Sequence, residues 1–281
     1  MYRLIATDMD GTLLNSSCEV SEANRRALRS AMEKGVRIII CSGRTFKGSR
    51  IFAEAMGLRD PIIACNGSII KDPATGDVLY SNLMNKEDCL RIVELCHKAD
   101  IYFHAYIDDT YHSERFERQG AYYDRLNRDL PPEERFDIRI VKDFSEVIEK
   151  SAARVSKFVI ASENGEKLKK LREQVKRIDT TDIMSSQRDN FEVVNRGVSK
   201  GNALRFLAEK LNISRDEIIA MGDNENDCSM LEFAGLGVAM GNADEKIKRM
   251  ARYVAKSNDG DGVADVITKF ILAGKGMSRT D

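Results

Sequence analysis

The chain has 281 residues, with 44 Lys plus Arg against 45 Asp plus Glu and a formal net charge of −1. That balance argues against a bulk electrostatic grip on nucleic acid or an anionic membrane, and 42% hydrophobic with 32% charged residues describes a globular protein rather than a disordered or fibrous one. No apolar run approaches the ~20 residues of a membrane-spanning helix, and a length that suits two domains of about 100–200 residues leaves room for a substantial core. The start reaches Asp8 too soon for the apolar region of a signal peptide, so a cytoplasmic protein is expected. Six cysteines (Cys18, Cys41, Cys65, Cys89, Cys96, Cys228) form no C-x-x-C pair and are expected to be reduced and mostly buried.

Residues 4–57 read as strand, loop, helix, strand, loop, helix. The first helix begins after Ser21 as N-cap, carries Ala27, Leu28 and Met32, and stops at Gly35. Residues 36–41 are a β-branched run suited to a parallel strand buried on both faces, and a helix joining two such strands makes a right-handed βαβ unit. Residues 62–65 form a third strand ending in the turn signal Asn66-Gly67, followed by a hairpin around Thr75-Gly76-Asp77. Asn85 then caps a helix bearing Leu90, Val93, Leu95 and Cys96, and the alternating stretch 102–107 predicts a half-exposed strand. Pro131-Pro132 mark a loop. Residues 155–160 read as a strand, 167–176 as an amphipathic helix, and Ile183 with 191–194 as a pair of strands, which together predict an antiparallel sheet with helices on one side. From Ser199 the α/β signature returns, with helices over 201–211, 227–233 and 265–272, strands over 217–221 and 237–240, and a frayed tail from Gly274. One α/β domain is interrupted by an inserted module.

Four constellations stand at predicted strand ends, where open α/β sheets place their ligands. In Asp8-Met9-Asp10-Gly11-Thr12, two carboxylates two residues apart can face one site, and hard Mg²⁺ suits such an oxygen pair; an Asx-turn explains D-x-D-G alone equally well. Ser42-Gly43-Arg44 follows the 36–41 run and offers a hydroxyl and a backbone N–H for an anion, although Ser-Gly is also an ordinary turn. Lys200 opens a predicted helix, where a single lysine is ordinarily a solvated charge. Gly222-Asp223-Asn224-Glu225-Asn226-Asp227 resembles a calcium loop only superficially, because Cys228 and Ala234 stand where an EF-hand needs Gly and Glu.

In that order, these residues resemble the motifs of the haloacid dehalogenase-like (HAD) superfamily of phosphatases, specifically its Cof-type subfamily (class IIB, with a C2-type cap). The likeness extends through residues 237–243 and 261–264. It implies a Rossmann-like, doubly wound parallel-sheet core with an inserted α+β cap. Asp10 and Ser42 are 32 positions apart and Ser42 and Lys200 are 158, so the cap belongs in the second gap. The expected division is core over 1–82 and 188–281, cap over 83–187.

The resemblance implies that Asp8 is a nucleophile forming an aspartyl-phosphate and that Asp10 protonates the leaving alkoxide and later activates water. It places Mg²⁺ on Asp8, the Asp10 backbone carbonyl and Asp223, with Lys200 as a fixed ammonium. Ser42, Asn226 and the backbone amides of Met9 and Gly43 would hold phosphate oxygens, and Thr12 and Asp227 would support the metal and lysine from behind. Arg44 is expected in a surface salt bridge. His97, His104 and His112 all lie in the insert; His104 shares a face with Tyr102 and Tyr106 that could line the substrate mouth, though cap packing is the ordinary role for these residues and for Tyr122-Tyr123. The expected partner is a small phosphorylated metabolite, first a sugar phosphate, with flavin mononucleotide or pyridoxal phosphate as alternatives. A phosphomutase or phosphotransferase, or a non-catalytic phosphometabolite sensor, are the competing readings. Oligomeric state is not legible.

Overall fold

The computed structural model describes residues 1–150, 154–185 and 189–273. Its central sheet has five parallel strands in the order Tyr253–Val254, Leu236–Ala239, Ile218–Gly222, Leu4–Thr7, Arg37–Ile40. The middle strands are buried throughout and, Thr7 aside, apolar, as a sheet covered on both faces demands. Helices Glu22–Glu33 and Gly262–Ile267 pack on one face around Ile5, Ile38 and Val266, while Lys200–Lys210 and Cys228–Phe233 cover the other around Leu4, Leu204 and Met230. Ser21 caps the first helix through its side chain, as expected, and Gly35 takes φ +79° just beyond it. The chain enters at Leu4–Thr7, moves outward to Arg37–Ile40, and returns on the opposite flank at Ile218–Gly222. The strand order therefore reverses between Leu4–Thr7 and Ile218–Gly222, and a crevice opens at their C-terminal ends.

Strand Ile62–Ala64 lies beside this sheet, linked to it by the bridge Cys41–Ile63, and pairs with the hairpin Ile69–Lys71 and Val78–Ser81. The insert forms a six-stranded sheet in the order Thr181–Met184, Asn190–Asn195, Val155–Ala161, Tyr102–Ile107, Thr110–Ser113, Ile138–Ile140. Helices Lys86–Ala99, Phe144–Lys150 and Gly165–Val175 contribute to one core with Phe103, Phe158 and Val193. Two expectations fall outside the described residues, and one changes. The cap boundary drawn at Gln187, like the tail from Gly274, lies outside the described residues, and the insert's sheet continues to Asn195. Strand Tyr102–Ile107 is buried at all six positions rather than half-exposed, because the second face, with Tyr106 and Val159, packs against Tyr123 from helix Arg118–Asp129. The alternation was legible; what covered the polar face was not. The Pro131-Pro132 loop contains one 3₁₀ turn, Pro132–Glu134.

On that second face, burial pushes the His104 imidazole down to about 3, with Lys157 nearby acting in the same direction. An unfolded histidine takes up its proton near 6.5, so the neutral, buried form stabilises the fold above that pH. This contribution is lost as pH falls from 6.5 towards 3, at up to about 1.4 kcal/mol per pH unit. A His104→Gln variant should show a shallower fall in urea midpoint between pH 6.5 and 4.5 than the parent; parallel curves would refute a buried neutral histidine. All six cysteines are free, and four of them are buried. Among the described residues, no helix is long and apolar enough to cross a membrane.

Candidate active site

Parallel register brings the chemistry to one edge. Thr7 lies level with Met221 on one side and Ile40 on the other, so Asp8, Asp223 and Ser42 emerge from neighbouring strands at the same end of the sheet. Gly11 turns the chain back with φ +78°, and a Cβ there would lie 2.4 Å from Asp223 Oδ2, so only glycine fits this approach. Ser199 caps the helix that Lys200 begins, which fixes the lysine at the crevice.

Lys200 is fully buried. Its Nζ donates to Asp8 Oδ1 at 2.6 Å and to Asp227 Oδ1 at 2.6 Å. Burial works against its charge, but Asp227 and Asp8 outweigh that and raise its pKa. The other Asp227 oxygen accepts the backbone N–H groups of Asp223 and Asn224, and Thr12 Oγ1 donates to Asp223 Oδ1 at 2.8 Å. Carboxylate oxygens of Asp8, Asp223 and Asp227 lie within 4.8 Å of one another. Crowding shows in their protonation: burial first, then Asp227, raises the Asp8 carboxyl well above its ordinary range and Asp223 to about 6. With all three carboxylates ionised, one ammonium would leave an excess of two negative charges. The hard oxygen donors, that excess and the space kept clear by Gly11 fit a divalent cation.

Asp10 stands apart from this cluster. Its carboxylate is half exposed and lies bidentate on Arg44, Oδ2 to Nε at 2.7 Å and Oδ1 to Nη2 at 2.5 Å. Arg44 does form a salt bridge, but at the mouth of the site rather than on the outer surface, with its guanidinium 5.0 Å from the Phe52 ring centre. Ser42 is buried and accepts from the Arg44 backbone N–H. The Met9 side chain packs in the core. Asp8, Asp10, Gly43 and Asn226 line a cleft of about 540 Å³ whose opposite wall is the insert's sheet and helix Arg118–Asp129.

Three contributors escaped sequence reasoning. Asn66 donates to Glu192 Oε2 at 2.5 Å and accepts from Asn226 Nδ2 at 3.1 Å, while Lys157 donates to the same Glu192 oxygen at 2.8 Å. Asn66 was legible only as a turn residue. Lys157 and Glu192 carried one weak signal, a charge inside a mostly apolar strand. His104, Tyr106, Tyr122 and Tyr123 also line the cleft, so packing and lining coincide there.

A parallel sheet with a carboxylate–lysine pair at its switch point and an inserted module over it defines an α/β enzyme with an acidic, cation-fitting centre. A family model for haloacid dehalogenase-like hydrolases matches residues 5–267. The phosphatase YwpJ of Bacillus subtilis is 34% identical, aligned over 94% of this chain and 98% of its own. The pyridoxal phosphate phosphatase YbhA of Escherichia coli is 32% identical over 96% and 99%. The solved structure of a haloacid dehalogenase-like hydrolase from B. subtilis superposes with a TM-score of 0.84 at 30% identity, covering 96% of this chain and all of that one. The chain belongs to the haloacid dehalogenase-like hydrolases and is an enzyme of their phosphatase type.

Proposed function

We propose that the chain hydrolyses small phosphomonoesters, sugar phosphates or similar metabolites, through an aspartyl-phosphate on Asp8. The observation that carries this reading is the buried Asp8–Lys200–Asp227 contact. Lys200 holds Asp8 by Oδ1 and Asp8 lines the cleft, so the nucleophile would be oriented before substrate arrives. Asp8 Oδ2 forms a bond to phosphorus as the ester P–O bond breaks, and the departing alkoxide takes a proton from Asp10. Asp10 then removes a proton from water, whose oxygen displaces Asp8 from phosphorus and releases phosphate. For the first transfer Asp10 must come away from Arg44. Ser42, Asn226 and the Met9 and Gly43 amides would hold the remaining phosphate oxygens. In this division of the chain, the insert, extended to Asn195, acts as the cap.

Asp8, Asp223 and the Asp10 backbone carbonyl would hold Mg²⁺, with Thr12 and Asp227 bracing them. Bound there, the ion would offset the repulsion between carboxylate and phosphate dianion. Phosphate release should vanish in excess EDTA and return with Mg²⁺, and Mg²⁺ should also raise the melting temperature by relieving the crowded carboxylates. Activity indifferent to both treatments would contradict the metal assignment.

A further inference from the structure

The insert contributes two charged side chains to the cleft among the described residues, Lys157 and Glu192. Both are buried, at 4% and 6% side-chain exposure, and paired at 2.8 Å. Desolvating such a pair costs several kcal/mol per ion, and apolar residues of similar volume usually serve stability as well or better. A buried charge pair on two sheet strands is therefore weak evidence of a stabilising role. Alternation places them together: Phe158 and Val193 enter the insert's core, so Lys157 and Glu192 point from the other face, towards Asp8 and Asp10. The Lys157 ammonium also lies 5.5 Å from the Tyr106 ring centre. Further out the wall is aromatic, with Tyr123 stacked on Phe136 at 4.4 Å and Tyr122 exposed at the rim. The cleft, about 540 Å³, has the size of sites that enclose whole small molecules, so much of it receives the leaving group.

We propose that the Lys157–Glu192 pair is the specificity determinant of this wall, selecting uncharged, hydroxyl-bearing ring alcohols and rejecting those with a second anionic group. This rests on the phosphatase reading above. A hydroxyl satisfies the pair as it stands, accepting from Lys157 and donating to Glu192. A second phosphate or carboxylate reaching Lys157 meets the Glu192 carboxylate in a site poorly screened by water. A bare hydrocarbon ring strips water from the pair and returns no hydrogen bond. The ring face packs on the aromatic wall in all three cases, so the polar pair makes the distinction.

The test compares kcat/KM of the full-length protein with Mg²⁺ on three primary alkyl phosphates: glucose 6-phosphate, fructose 1,6-bisphosphate and cyclohexylmethyl phosphate. Glucose 6-phosphate is expected to lead each of the others by at least about tenfold. Glu192→Gln should shrink the margin over the bisphosphate by about tenfold, chiefly through KM. The double variant Lys157→Met with Glu192→Gln, which leaves no unpaired buried charge, should erase the margin over cyclohexylmethyl phosphate. Hydrolysis of p-nitrophenyl phosphate with no preference among the three esters, or with margins unmoved in both variants, overturns the role of the pair and leaves the phosphatase reading standing. No phosphate release from any ester overturns both.

Discussion

Asp8→Asn is expected to leave a folded protein that releases no measurable phosphate from any monoester. Uncatalysed monoester hydrolysis is among the slowest known reactions, with enzymatic accelerations up to ~10²¹, so losing the attacking oxygen should cost far more than ~10⁴ in kcat. The fold should survive for an electrostatic reason. Burial and the Asp227 charge both press against ionisation of Asp8 and raise its pKa. A neutral amide of the same shape removes one negative charge from the crowded cluster and leaves Lys200 paired with Asp227. The melting temperature should therefore hold steady or rise. Phosphate assays alongside thermal melts, on material free of contaminating phosphatase, check both halves, and full turnover by the variant would remove Asp8 as nucleophile.

Lys200→Met should fail in the opposite way, losing activity and stability together. The ammonium is fully buried between Asp8 and Asp227, and removing it strands two buried carboxylates. Breaking a buried pair of this kind costs about 3–5 kcal/mol. For a protein of this size that is a fall in melting temperature on the order of 10 °C, measured in EDTA. Adding Asp8→Asn to Lys200→Met should recover part of the loss by removing one of the stranded charges. If Lys200→Met melts with the parent, the lysine is not what balances these carboxylates.

These predictions draw on residues of unequal legibility. Asp8, Lys200 and Asp223 sit beside strong local signals: an apolar strand, a helix N-cap, and a turn that follows a buried strand. Backbone periodicity and capping chemistry act over a few residues, so those positions could be placed at strand ends and helix starts before any contact was known. The same local reading put Asn66 at a turn, where it does lie, within the 3₁₀ turn Cys65–Gly67. It had no means of showing that the Asn66 amide would meet Glu192, 126 positions further along. Arg44 was expected in a salt bridge, yet its partner Asp10 and its place in the cleft depend on how two strand ends are juxtaposed.

By itself, the sequence determined the α/β alternation, the inserted module and the motif residues that identify the family, because each is written in a local period or a short spacing. Tertiary structure decided the rest. Lys200 reaches Asp8 across 192 positions because the helix that it begins packs on the face of the sheet whose strand Leu4–Thr7 leads into Asp8. Tyr102–Ile107 is buried on its polar face because helix Arg118–Asp129 lies over it, and Lys157 meets Glu192 because two strands pair in one register. Such contacts follow from how distant segments pack, and packing depends on shape and burial summed over the whole chain rather than on the few neighbours that set a helix or a strand.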